Sequence, residues 1–329
     1  MPPLPRNIYE QQGQNRRLTI LVLVLFVLFV GFLGFGLDLF LFGPLLTDDA
    51  TMPFPIPFAT LAAVAVASVG AVRSATHGDA AVLASATATP VPEENPRYRP
   101  LINIVEEMSI AAGLPRPKIY LVPDPDPNAF ATGRDPAHAS IAVTEGLVER
   151  LNRDELQGVI AHEMSHIRNE DIRLMTVVAS LIGAVMLIAE FGTRMFRFGG
   201  TKGSRRSSRS GGGPAMLILF GLWIIAMVLA PFIANLLAMA VSRQREYLAD
   251  ASGAELTRNP GGLASALEKI AAADDPTRLI KKGTAHLCIA DPLGREANNH
   301  EGFFADLLGT HPPVQRRITL LKAMAYQTS

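Results

Sequence analysis

Residues 162–166 read His162-Glu163-Met164-Ser165-His166, an H-E-x-x-H pattern whose meaning comes from helix geometry. On an α-helix, positions four apart share one face and lie about 6 Å apart along the axis. Two imidazoles so placed can grip one zinc ion, and the glutamate between them can reach a water on that metal. The bland alternative is a solvated helix with two stray histidines, which gives Glu163 no purpose. The preceding residues predict where this helix starts. Asn152 as N-cap with Glu155 three residues on resembles a capping box, and Asp154 favours the positive end of the helix dipole. Leu156, Val159, Ile160 and Ile167 supply apolar residues at helical spacing.

Composition narrows the setting. Apolar residues make up 49% of the 329 and charged residues 18%, so the chain is apolar-rich for a soluble protein. The formal net charge of zero gives no reason to expect nucleic acid as a partner. Cys288 is the single cysteine, which rules out an intramolecular disulfide and any Cys-x-x-Cys clip, and it reads as a small buried hydrophobe.

The apolar excess is concentrated in four runs. Residues 1–17 form a polar N-terminus with Arg6, Arg16 and Arg17 against Glu10, and 18–37 is a run long enough to span a bilayer. The loop beyond it holds Asp38, Asp48 and Asp49 without Lys or Arg, so the positive-inside bias puts the N-terminus in the cytoplasm. A weaker Ala/Val-rich segment, 58–72, reads as a second span, followed by a Pro-rich linker over 74–100. The catalytic domain then occupies 101–173 and 242–329. Between these parts lie a third run (174–191), a basic loop (192–213) and a fourth run (215–241) kinked at Pro231. The third and fourth runs are either spans or a helical hairpin at the membrane face. Spanning would put the basic loop outside, against the positive-inside tendency.

Within the first catalytic part, 101–112 predicts an amphipathic helix stopped by Gly113. Residues 118–122 and 139–144 read as strands, with Asn128-Ala129-Phe130-Ala131-Thr132-Gly133 between them. A small mixed sheet follows, and 128–133 is the candidate edge on which an extended peptide could pair; an ordinary loop is the other reading. Helices are expected over 260–273 and 312–325.

After the fourth run comes Ser242-Arg243-Gln244-Arg245-Glu246-Tyr247-Leu248-Ala249-Asp250. His162 lies 29 residues before the end of the third run, and Glu246 lies 32 residues after Pro214. At about 1.5 Å per residue these arms are ~44 and ~48 Å, so an antiparallel hairpin would bring Glu246 level with the histidines. A catalytic zinc site of the two-His-plus-Glu type needs such a third ligand, leaving one position for water. Asp250, one turn further, is placed to hydrogen-bond a ligand imidazole. Standing alone, Glu246 and Asp250 would read as an exposed acidic pair beside arginines. His311, at the entrance of the last helix, could point into a cleft; His286 and His300 read as ordinary surface or core residues.

These stretches resemble the HtpX-type membrane-bound zinc metalloproteases, relatives of the CAAX prenyl-protein protease. The resemblance runs from about Gly78 to the C-terminus. It rests on Ala111 to Pro115, Asn128 to Gly133, Arg153 to Asp171, Ser242 to Asp250, Thr284 to Leu287 and Thr310 to Ile318. It implies a mainly α, multi-pass membrane protein carrying a small α+β zincin-like metalloprotease domain. One zinc would be held by His162, His166 and Glu246, with Glu163 as general base and Asp250 supporting a ligand. Asn128, Ala129 and Phe130 would border the substrate cleft, and His311 and Arg317 match a C-terminal motif near the active site. The implied work is cleavage of misfolded or damaged membrane proteins in quality control and stress, at the cell membrane with the catalytic domain cytoplasmic. Prenyl-protein processing and a zinc-binding scaffold or chaperone-like protein without proteolysis are the competing functions.

Overall fold

The computed structural model describes residues 8–39, 57–199, 221, 223–225, 243–273, 277–280, 282–290, 292 and 312–328. The chain divides into two compact units. The first comprises residues 1–19, 74–180 and 237–329, and the second residues 20–73 and 181–236.

In the second unit lie most of helix α1 (Ile8–Leu37) and the first half of α2 (Phe58–Ser85). Both are long and apolar enough to cross a membrane. Their apolar side chains are turned outward: Ile20, Leu28, Phe58, Val66 and Val69 are each at least 60% exposed. So broad an apolar surface is what a bilayer covers. Asp38 caps α2, its Oδ1 accepting from the Ala59 amide (2.9 Å) and its Oδ2 from the Thr60 amide (2.7 Å). The buried Trp223 donates from Nε1 to the Leu33 carbonyl at 3.2 Å.

The helix α2 does not end at Arg73. It continues to Ser85, with a local departure from helical geometry at His77, and Thr89–Pro90 then form strand β1. The stretch expected to be a linker is therefore largely structured. Ala- and Val-rich sequence sustains the helix, and the first proline after Arg73 is Pro90.

The first unit is built on a four-stranded sheet of β1, β2 (Lys118–Val122), β3 (Ala129–Gly133) and β4 (Ala139–Thr144), in the order β1-β2-β4-β3. Strand β4 runs parallel to β2 and antiparallel to β3, so the sheet is mixed and β3 is an edge. Alternation sends Ala129, Ala131, Ile141 and Val143 to one face and Val122, Phe130 and Ala142 to the other. The first face packs on helices α3 (Arg99–Ala112), α5 (Arg153–Arg168), α8 (Pro260–Ala271) and α10 (Val314–Thr328). The second is covered by Val82 and Leu83 of α2 and by Met175 and Ala179 of α6 (Asp171–Gly199). A short α4 (Glu145–Arg150) links β4 to α5, while α7 (Arg243–Thr257) and the one-turn α9 (Lys282–Ala285) belong to the later half. Gly113 closes α3 at φ 67°, a left-handed cap that explains the stop there.

The start of α5 matches its sequence signature. Asn152 accepts from the Glu155 amide, and Glu155 Oε2 accepts from the Asn152 amide. The same carboxylate accepts from Ser265 Oγ and Lys269 Nζ of α8, both at 2.7 Å, which ties the motif helix to its neighbour. Burial would raise the Glu155 pKa, but these donors hold it below its ordinary value. A depressed pKa means that the contribution is present above the ordinary Glu pKa and disappears as pH falls through the folded value. Glu155→Gln is expected to cost about 1–3 kcal/mol near neutral pH. In thermal unfolding of the detergent-solubilised chain, its deficit against wild type should shrink once pH drops below about 4.

Candidate metal centre

The motif helix α5 is buried from Gly158 to Ile167, and His162, Glu163 and His166 are almost wholly removed from solvent. The two imidazoles meet edge to face, with Nε2 atoms 3.2 Å apart. Helix α7 lies along α5 and brings Glu246 to them: Oε2 is 3.7 Å from His162 Nε2 and Oε1 is 3.7 Å from His166 Nε2. One ligand atom from each of His162, His166 and Glu246 falls within 4.8 Å of the others, and all three residues are buried. Two imidazole nitrogens and a carboxylate oxygen so converged form a donor set suited to a divalent metal.

Close approach of α7 to α5 is permitted by Gly253, where a Cβ would stand 3.0 Å from the His162 nitrogen and 3.2 Å from its Cα. Gly253→Val is expected to push α7 off the motif helix and to separate Glu246 from the histidines. The purified variant should lose bound metal, with activity down on the order of tenfold or more. Wild-type metal content in Gly253→Val would show that this contact does not set the site.

The outer nitrogen of each histidine faces a carboxylate. His162 Nδ1 lies 3.0 Å from Asp250 Oδ1, and His166 Nδ1 lies 3.2 Å from Asp171 Oδ2. This arrangement turns both Nε2 atoms toward the shared centre. Asp250 is itself gripped by Arg317, from Nε at 2.8 Å and Nη2 at 2.7 Å. Arg317 Nη1 lies 3.3 Å from Glu246 Oε2 and donates to the Ile289 carbonyl at 2.6 Å. Although burial opposes it, the surrounding carboxylates raise the Arg317 pKa, and Arg317 in turn holds Asp250 ionised against its own burial.

Electrostatics separate the two histidines. Burial lowers the His162 pKa despite Asp250, whereas Asp171, Glu246 and Glu163 overcome burial at His166 and raise it to about 9. The pocket around His166 therefore attracts positive charge, and a metal cation meets the same field as a proton. Glu163 is pushed up to about 7, first by burial and further by Glu246, with His166 opposing. Both Glu163 oxygens are buried and have no hydrogen-bond partner among the described residues, a costly state for a carboxylate unless something binds beside it.

Strand β3 borders the site. Thr144 donates to the Asn128 carbonyl, so in the antiparallel alternation the peptide groups of Ala129, Ala131 and Gly133 point away from β4. The Ala129 amide is taken by Asn128 Oδ1, its carbonyl by the Ile289 amide, and the Gly133 amide by Thr176 Oγ1. The Ala131 amide is turned toward Glu163 without closing a hydrogen bond of good geometry. Asn128 itself is buried and donates to the Ala290 carbonyl at 2.9 Å, while the Phe130 side chain is in the core on the opposite face of the sheet.

Of the residues singled out in the sequence, His162, Glu163, His166, Glu246, Asp250 and Arg317 come together. Asn128 and Ala129 stand at the strand edge, and Phe130 serves packing there. His311 and His300 lie outside the described residues. His286 and Cys288 are buried, as expected for core residues. Asp171 was missed. It lies five residues after His166, across a break at Glu170 (φ 56°), so no helical spacing rule pairs the two.

A metal-suited triad, a buried glutamate without a hydrogen-bond partner among the described residues and an adjacent edge strand describe the machinery of a metal-dependent peptidase. The comparisons agree: residues 96–325 match the family model Peptidase family M48, and the chain belongs to that family, as a membrane metalloprotease of the HtpX type. It is 48% identical over 249 residues to "Protease HtpX homolog" of Thermoanaerobacter pseudethanolicus, covering 75% of this chain and 79% of that one. The homolog of Caldanaerobacter subterraneus subsp. tengcongensis is 49% identical, covering 71% and 75%. The crystal structure of S. mikatae Ste24p is similar with TM-score 0.46 and 21% identity, over 77% of this chain and 56% of Ste24p.

Proposed function

We propose that the chain is a zinc endopeptidase in which His162, His166 and Glu246 hold one zinc ion and Glu163 is the general base. The observation that carries this reading is the convergence of three buried donor atoms beside a buried carboxylate that has no hydrogen-bond partner among the described residues. A zinc ion held there would supply Lewis acidity, lowering the pKa of a water and polarising a scissile carbonyl. Glu163 accepts the proton of the attacking water and passes it to the leaving amine; a pKa of about 7 suits both halves of that transfer near neutrality. Asp250 and Asp171 fix the imidazoles, and Arg317 holds Asp250 and Glu246 in register. An extended substrate strand pairs with the outward peptide group of Ala131, which sets its scissile bond beside Glu163.

No fourth protein ligand joins the triad among the described residues, which favours an open catalytic site over a closed structural one and disfavours the scaffold reading. The substrates we infer are misfolded or damaged membrane proteins, and the location is the plasma membrane. Residues 200–213 of the basic loop and the fourth run, apart from residues 221 and 223–225, lie outside the described residues. Read as two spans or as a hairpin at the membrane face, the third and fourth runs cross an even number of times, which keeps both halves of the catalytic domain in the cytoplasm. The arginines flanking the first span support that orientation.

Glu163→Gln should retain about one zinc per chain yet lose cleavage of an unfolded model protein by at least ~100-fold, while His166→Ala loses both zinc and cleavage. Metal analysis and a gel-based cleavage assay on detergent-purified protein read both, and retained proteolysis in Glu163→Gln removes the general-base assignment. For topology, a cysteine placed at Ser207 should react with an impermeant maleimide in intact cells; protection there rejects the third and fourth spans.

A further inference from the structure

The cytoplasmic end of α1 reaches the turn that joins the motif helix to α6. Three side chains on one face of α1 take part: Gln12, Asn15 and Arg16. Gln12 Nε2 donates to the Arg168 carbonyl at 3.1 Å, and Arg16 grips Glu170 with Nε at 3.0 Å and Nη2 at 2.8 Å. Asn15 lies between them and is 1% exposed. Its Nδ2 donates to the Asn169 carbonyl at 3.2 Å and to Asp171 Oδ1 at 2.8 Å. The other oxygen of that same carboxylate, Oδ2, faces His166 Nδ1. Among the described residues Arg245 is the other cation near Asp171, its Nε 3.6 Å from Oδ1 and so beyond a direct hydrogen bond.

We propose that Asn15 is a positioning residue of the metal centre, holding the Asp171 carboxylate in the orientation that fixes the His166 ring. This rests on the reading of His166 as a metal ligand. Asp171 is fully buried, and the chain enters it through a left-handed residue, Glu170, so its direction is set by what holds the turn. Among the described residues, Asn15 is the side chain that donates to Asp171 Oδ1 within hydrogen-bond distance. Without it, Asp171 can rotate about its side-chain bonds, and His166 loses the partner that keeps its proton on Nδ1 and its Nε2 toward the metal. The residue sits immediately before the apolar run of α1, so the helix that enters the bilayer also carries an anchor of the site. More than 150 residues of sequence separate Asn15 from the aspartate it holds.

The test is a double-mutant cycle on metal affinity, read by competition between the full-length protein in detergent and a chromophoric chelator for Zn²⁺. Outer partners of a metal-ligating histidine are worth about 10–100-fold in affinity, so Asp171→Ala should weaken Zn²⁺ binding within that range and Asn15→Leu by about tenfold. Because Asn15 acts through Asp171, the double variant should bind no more weakly than Asp171→Ala alone, whereas independent effects would multiply. In the same preparations Asn15→Leu should lower kcat and leave KM unchanged, since the strand edge is untouched. If Asn15→Leu does not fold, Asn15→Asp keeps the volume, sets a carboxylate against Asp171, and should weaken Zn²⁺ at least as much. Zn²⁺ affinity within about twofold of wild type in a folded Asn15 variant, or multiplying effects in the cycle, overturns the proposal. Wild-type protein that binds no Zn²⁺ overturns the metal-site reading itself, and the proposal with it.

Discussion

Asp250 and Asp171 each face the outer nitrogen of a motif histidine from inside the protein, and the rest of the catalytic unit depends on those two contacts. Burying a carboxylate is unfavourable without compensation, and each of these has it. Arg317 makes a two-pronged contact with Asp250, and Asn15 donates to Asp171 with Arg245 close by. Each counterpart comes from a distant part of the chain: α10, α7 and the first turns of α1. The site can therefore form only when these helices are docked on α5.

The same dependence explains the packing order. Helix α5 is pinned at its start by the capping box and by Ser265 and Lys269 on Glu155. It is approached at its middle by the glycine face of α7 and held at its end by the turn at Glu170. Its apolar side lies against the sheet. The polar residues of the motif are left facing α7 and the edge of β3, so the chemistry sits at a boundary between a helix pair and a strand edge. Ile289 occupies the Ala129 end of that edge, its amide donating to the Ala129 carbonyl.

Much of this was readable in advance because it depends on local periodicity. Helical spacing put His162 and His166 on one face with Glu163 between them, and Asn152 with Glu155 marked where that helix begins. Residues 118–122 and 139–144 read as strands with the same bounds that β2 and β4 have, and the apolar runs gave the two exposed helices at the N-terminal side. Glu246 was reachable by comparing the lengths of two arms, although most of the returning arm lies outside the described residues.

Other features were settled only by packing between distant parts. The continuation of α2 to Ser85 and the short β1 lie in a stretch whose composition resembles a linker, and they are ordered by docking against α6 and β2. Edge or loop was an open question for 128–133 until β4 paired with β3. Asp171 escaped because a left-handed residue breaks the helix and turns the chain back, so a side chain five positions on faces His166. Asn15 escaped for a related reason: nothing within α1 distinguishes an exposed asparagine from one buried against a carboxylate more than 150 residues away. Sequence by itself determined the donor types and their spacing within each helix, because hydrogen bonding and side-chain direction are local. Tertiary structure decided which buried charge faces which partner, because that is fixed by how separate helices close on one another.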